Sequence, residues 1–229
     1  MKRWNRLLSL LLAAACSGLD EGEGGVVAIE VETPEFQTLE VGEQVQVVAR
    51  ALDVNGAVVE VPLEWQASSA AVTVDGSGLV TGVQPGEASV QAVSGTLPSA
   101  PVPFDVVARA DTLIISGDSV VTIPIGADPP VTAPLTVRLE TFISPGPVSG
   151  GTVIFQITSP VAGTAPVVQF VGGVQSDTIT TAPDGTARIE IGAVSAQVPP
   201  DTAIVQVRAE RLRGSAVPGS GQRFIVLFQ

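Results

Sequence analysis

The chain has 229 residues, 45% hydrophobic and 15% charged, with a formal net charge of −12. That apolar content supports a sizeable core and excludes a disordered chain, which is poor in hydrophobics and rich in charge. The acidic balance argues against nucleic acid as a partner, because phosphate binding needs a basic face. There is no His and no Tyr, one Cys and one Met. Without His, neither a Ser-His-Asp triad nor a His-bearing zinc site is available. The only lysine, Lys2, is too close to the N-terminus to serve a P-loop.

Lys2, Arg3 and Arg6 form a positive leader, and Leu7 to Ala15 is an apolar run broken only by Ser9. The run is too short to span a bilayer, which takes about 20 residues, and matches the apolar region of a signal peptide. Ala13, Ala14 and Ala15 then lead to Cys16, the single cysteine. This segment resembles a bacterial lipoprotein signal, with Ala13 standing where Leu is usual and Leu12 one place earlier. The resemblance implies diacylglycerol on the Cys16 sulfur, cleavage before Cys16 and acylation of the new N-terminus. Several acyl chains on one residue make anchoring stable. The alternative is an ordinary cleaved signal with Cys16 near the cut. Residues 1–15 are thus the predicted signal peptide. Residues 16–25, rich in Gly and acidic side chains, are a predicted flexible tether. Cleavage removes the three leading cations and takes the net charge from −12 to −15.

From Val26 onward the apolar period is two rather than 3.6. Residues 45, 47, 49 and 51 are apolar in Val45–Ala51, and Leu135–Glu140, Ala187–Ile191 and Ala203–Glu210 alternate in the same way. Most of the Gly and Pro fall between such runs and mark turns. Many short strands at regular spacing predict a sandwich or barrel. Arg109-Ala110-Asp111 is the best boundary. It leaves 26–108 and 112–229, each close in size to one β-sandwich of about 100 residues.

The first block reads Val27–Val31, Thr38–Glu43, Ala51–Gly56, Leu63–Ser69, Val74–Val83, Pro85-Gly86 and Ala88–Ala92. In that order these pieces resemble the bacterial Ig-like group 2 domain along nearly the whole block. Asn55-Gly56 predicts a type I′ hairpin, which needs positive φ at both central residues, and Asp75–Gly78 serves similarly. Trp65, sharing a face with Leu63 and Ala67, is expected between the two sheets; a platform for a sugar ring is the functional alternative. In the second block, Gly151–Ile157, Asp177–Ala187 and Pro200–Ala209 resemble the group 1 Ig-like repeats of invasin- and intimin-type adhesins, over about half its length. Ile114 to Pro147 is Pro-rich and departs from that pattern, and Phe224–Phe228 is the expected closing strand. The predicted fold is all-β: two tandem Ig-like β-sandwiches behind a lipoprotein signal peptide.

Chemistry-bearing constellations are sparse. No G-x-S-x-G nucleophile elbow occurs. Glu140, Glu190 and Glu210 sit at outward strand positions beside Arg138, Arg188 and Arg208 and read as a solvated face. The turn acids Asp75, Asp118, Asp128, Asp177, Asp184 and Asp201 are possible oxygen ligands for calcium, but no D-x-D-x-D-G loop holds them and Asp is common in turns. Gly76-Ser77-Gly78 lacks the helix that would hold a phosphate. The expectation is a non-catalytic protein with no cofactor, metal, nucleic acid or small-molecule substrate. It is lipid-anchored to the membrane through Cys16, in the cell envelope and exposed to the periplasm or cell surface. Its Ig-like domains would adhere to an unknown protein or glycan ligand. The alternative is a structural spacer, or an accessory subunit of an envelope assembly.

Overall fold

The computed structural model describes residues 25–126, 132–143, 145–160, 167–194 and 200–229. The predicted signal peptide, Cys16, the tether as far as Gly24, and Asp128 lie outside these residues. Among the described residues there are 21 strands and no α-helix.

Eleven strands precede Arg109: β1 (Ala28–Glu32), β2 (Thr38–Glu40), β3 (Gln44–Gln46), β4 (Val48–Leu52), β5 (Val58–Val59), β6 (Glu64–Ala67), β7 (Val72–Val74), β8 (Leu79–Gly82), β9 (Gly86–Ser94), β10 (Leu97–Pro98) and β11 (Val102–Val107). Ten follow Asp111: β12 (Thr112–Ile115), β13 (Val120–Ile123), β14 (Thr132–Thr141), β15 (Gly146–Pro147), β16 (Thr152–Ser159), β17 (Val168–Phe170), β18 (Ser176–Thr180), β19 (Thr186–Ala193), β20 (Thr202–Ala209) and β21 (Arg223–Phe228). No strand of the first set pairs with one of the second.

In the C-terminal half one sheet runs β12-β14-β19-β17 and the other β13-β21-β20-β16-β18. These occupy the A-B-E-D and G-F-C places of an immunoglobulin sandwich. A further strand, β13, lies parallel to β21, with Val120 opposite Ile225. The N-terminal half repeats the plan. β1-β4 and β3-β8-β7 make one face, and β6, β9 and β11 make the other, with β2 parallel to β11. β3 and β4 are two segments of one strand; Val47 between them still donates its N–H to the Gly78 carbonyl at 3.0 Å. The chain is all-β, and the two halves are tandem Ig-like sandwiches.

The alternation read from sequence sets which residues enter the core. Leu135, Val137 and Leu139 are buried while 136, 138 and 140 are half-buried, and Ala203, Val205, Val207 and Ala209 follow the same period. Phe224, Val226 and Phe228 bury the closing strand, β21. The C-terminal half has a single core cluster that includes Phe155, Phe170, Phe224 and Phe228. The N-terminal half has two smaller clusters, one around Leu39, Val47 and Phe104, the other around Val26, Ile29 and Ala92. Trp65 packs against both. Leu63 joins it as expected, but Ala67 is exposed although its cross-strand partner Val90 is in the core, because β6 is an edge strand that pairs only with β9.

The turn after β4 differs from the type I′ expectation. Gly56 donates its N–H to the Asp53 carbonyl, so Val54 and Asn55 are the central residues and Gly56, with φ of 78°, follows them. The cause is Asp53, whose Oδ1 accepts the N–H groups of Asn55 and Ala57, both at 2.8 Å, and fixes where the turn starts. The same backbone frame closes 75–79 and 182–186, with Gly78 and Gly185 in the positive-φ place.

Candidate functional site

Where the two sandwiches meet, the linker carries a charge that folding has removed from water. The Asp111 side chain is only 4% exposed. Its Oδ1 accepts from Arg109 Nε at 2.8 Å and from Arg211 Nη2 at 3.2 Å. Its Oδ2 accepts from the Phe142 N–H at 2.8 Å and the Thr141 hydroxyl at 3.3 Å. Burial pushes the carboxyl pKa up, but the Phe142 N–H, Arg109 and Thr141 outweigh it, and the net shift is downward. A buried carboxylate with two guanidinium partners and two further donors is a fixed structural point, since losing one partner would leave charge stranded.

A second set of bonds runs between the halves. The β2–β3 turn carries Glu40 and Glu43 toward the 211–215 turn of the C-terminal half. There Gly214, at φ 79°, closes the chain by donating to the Arg211 carbonyl at 2.8 Å. The Leu212 N–H donates to Glu40 Oε1 at 2.7 Å, and Arg213 Nε donates to Glu43 Oε1 at 2.8 Å. Arg213 Nη2 also reaches the Thr38 carbonyl at 2.6 Å, and its guanidinium lies 3.9 Å from the Phe36 ring centroid. Arg213 thus uses charge, hydrogen bonds and an aromatic face together.

Two clefts flank the linker, and Ala108 lines both. One, of about 440 Å³, lies between Glu40 and Val107 on one side and Val148, Thr152 and Leu212 on the other. The second, of about 460 Å³, is bounded by Val41, Val83, Pro85, Ile143, Pro147 and Arg109. Apolar side chains that a core would normally cover stand open here. Phe142 is 64% exposed, Ile143 48%, Val83 45% and Leu212 43%. Val83 and Ile143 line the second cleft, Leu212 lines the first, and Phe142 adjoins Ile143 in the chain. Isolated exposed apolar residues are ordinary, but such a group at one junction marks a contact surface.

Two of the acids singled out in the sequence, Asp75 and Asp184, serve their own turns. Asp75 Oδ1 accepts from the Ser77 hydroxyl at 2.6 Å and from the N–H groups of Ser77 and Leu79. Asp184 Oδ1 accepts from the Thr186 hydroxyl at 2.7 Å and its N–H at 3.0 Å. These bonds hold both carboxyls below their ordinary pKa, led by the Ser77 hydroxyl in one and the Thr186 hydroxyl in the other. Asp53 is lowered in the same way, first by the Ala57 N–H. Among the described residues no three His, Cys, Asp or Glu side chains gather as a metal would require. Glu190 stands beside Arg188 at 3.3 Å on an exposed face, as the solvated-face reading expects, whereas Glu140 and Arg138, 3.4 Å apart, are half-buried, and Glu210 makes no ion pair with Arg208 among the described residues. Trp65 edges a smaller cleft with Val61, Leu63 and Ser77. Cys16 is outside the described residues. Sequence reasoning missed the junction pairs, since Glu43 and Arg213 are 170 positions apart. The one local signal was Arg109-Ala110-Asp111, two opposite charges where a neutral linker would have sufficed.

No protein-family profile matches the chain, and none of the curated proteins matches it in sequence. Solved structures do resemble it. The Escherichia coli adhesin FdeC is 17% identical, with a TM-score of 0.52, over 86% of this chain and 63% of that one. The Yersinia pseudotuberculosis adhesin InvE is 17% identical, with a TM-score of 0.45, over 91% of this chain and 61% of that one. The D0–D1 domains of intimin are 18% identical, with a TM-score of 0.31, over 88% of this chain and 98% of that one. The chain therefore spans less than two thirds of the FdeC and InvE chains it matches. The fold is that of tandem Ig-like sandwiches. Among the described residues no helix is long and apolar enough to cross a membrane.

Proposed function

We propose that this chain is a non-catalytic, lipid-anchored protein of the bacterial cell envelope that binds or adheres to a protein or glycan through its Ig-like sandwiches. The observation that carries the binding reading is the cluster of exposed apolar side chains, Phe142, Ile143, Val83 and Leu212, around the junction clefts. The fold it shares with the adhesin FdeC supports the same reading, as do the group 2 and group 1 Ig-like resemblances of the two halves. Anchoring is assigned to lipid on Cys16, with cleavage after residue 15 and the tether 16–25 leading to the first sandwich. The sandwiches are taken as domains 26–108 and 112–229. Nucleic acid and small-molecule substrates are not among the proposed partners.

Antibody labelling of intact and permeabilised cells, followed by adhesion of the same cells to glycan and host-protein arrays, tests the proposal. We expect labelling of intact cells and array binding that Phe142→Asp with Ile143→Asp reduces at least tenfold. Unchanged binding by that variant would remove the junction from the proposal, and no array binding by the wild type would remove adhesion. The second reading, a spacer that holds its neighbours at a set distance, is favoured by one observation: the Arg213 and Glu40 bonds between the halves.

A further inference from the structure

The two halves share a topology but not a charge. Residues 26–108 hold eleven acidic side chains and one basic, Arg50; residues 112–229 hold eight acidic and six basic. The difference is sharpest on one pair of equivalent faces. On the outer face of the N-terminal β2-β11-β9-β6 sheet, Glu64, Glu87 and Asp105 are exposed. Glu87 and Asp105 are direct cross-strand neighbours, a repelling arrangement in an isolated sheet. No strand residue of that face is basic. On the outer face of the C-terminal β13-β21-β20-β16-β18 sheet the strand positions hold no acid. They hold Arg208 and Arg223, both exposed and neither in an ion pair among the described residues, and an apolar row. In that row Val120 lies opposite Ile225 and Ile225 opposite Ile204, with Val120 47% and Ile225 41% exposed.

We propose that the outer face of the C-terminal β13-β21-β20-β16-β18 sheet docks onto the acidic outer face of the N-terminal β2-β11-β9-β6 sheet of a second copy of this chain. The charges are complementary, Arg208 and Arg223 against Glu87, Asp105 and Glu64. The apolar row gives the contact a dry centre. Because the two surfaces differ, the contact is head-to-tail and leaves a free face at each end, so copies add one after another. Five strands about 4.8 Å apart and about six residues long make a face of roughly 500 Å², the low end for a specific interface. The association is therefore weak in dilute solution and strengthens where copies are crowded. It stands apart from the junction reading, since neither face includes Phe142 or Ile143.

Sedimentation equilibrium of the full chain, in a neutral detergent matched in density to the buffer, tests it. The average mass should rise above the monomer with concentration at low salt and fall back toward it in about 0.5 M salt, where charges are screened. The doubly substituted chains R208E/R223E and E87R/D105R should each stay monomeric, with melting curves like the wild type. An equimolar mixture of the two should associate again, because each then meets a complementary face. A monomeric wild type at every concentration would overturn the proposal. So would either variant associating alone as the wild type does, or a mixture that remains monomeric.

Discussion

The two sandwiches show two ways to close the same architecture. The C-terminal half wraps long unbroken strands, β14, β16, β19 and β20, around one core with four buried Phe. Apart from β9, the N-terminal half uses shorter strands; it splits one strand at Val47, and it has two core clusters that only Val31 and the partly buried Trp65 touch in common. Topology therefore does not fix how the core is divided; the supply of large apolar side chains does. Of the seven Phe in the chain, Phe104 is the one buried in the N-terminal core. A divided core makes that half depend on a few positions, Trp65 and the glycine beneath it foremost.

Phe155→Ala removes a fully buried ring and should cost about 3–5 kcal/mol, read in calorimetry as a lower melting temperature for the C-terminal half with the N-terminal half unmoved. Gly78→Ala attacks the other half. Gly78 has φ of 84°, and an added Cβ would stand 2.4 Å from the Val47 carbonyl oxygen and 2.7 Å from the Trp65 ring. We expect a loss of about 2–4 kcal/mol from backbone strain plus overpacking. Trp65→Ala should cost about 2–3 kcal/mol, less than a fully buried aromatic because the ring is half-buried. Trp65 is the only tryptophan beyond Trp4, so fluorescence in the wild type reports the unfolding of this half. A cost near zero would mean that the two clusters do not need the bridge.

Smaller effects fall on the junction. Asp111 has a lowered pKa when folded, so the stability it contributes is present above the ordinary carboxyl value of about 3.9 and is lost as pH falls through the folded value below it. Asp53, Asp75 and Asp184 shift in the same direction. Melting temperature should therefore hold across neutral pH and fall only below about pH 4, and Asp111→Asn should flatten part of that fall. Arg213→Ala should cost less than about 1 kcal/mol, since the pair is partly exposed. It should nevertheless broaden the distance distribution in small-angle scattering by freeing one half from the other. An unchanged distribution would show that the Asp111 bonds and the Leu212–Glu40 bond set the geometry without Arg213.

Strand positions were legible because alternation is local: Leu135 to Glu140 and Ala203 to Glu210 carry their inward and outward faces in the residues themselves. The turn after β4 departs from the sequence expectation for an equally local reason. Asn55-Gly56 is a hairpin signal by itself, but the Asp53 carboxylate two residues earlier captures the Asn55 and Ala57 N–H groups and moves the turn. Ala67 shares the parity of Trp65 and is nevertheless exposed, because whether a strand lies at the edge of its sheet is not written in its period. The junction lay furthest from reach. Glu40, Glu43 and Arg213 are common surface residues in sequence and acquire a role only when two turns far apart in the chain come together.

The proposed envelope role rests on lipid at Cys16 holding this pair of sandwiches to a membrane. Metabolic labelling with radioactive palmitate, in cells making the wild type or Cys16→Ser, tests it most directly. The prediction is label on the wild type in the membrane fraction, with no label and release from the membrane for the variant. A variant that still takes up palmitate and stays with the membrane, or a wild type that takes up none, would contradict it.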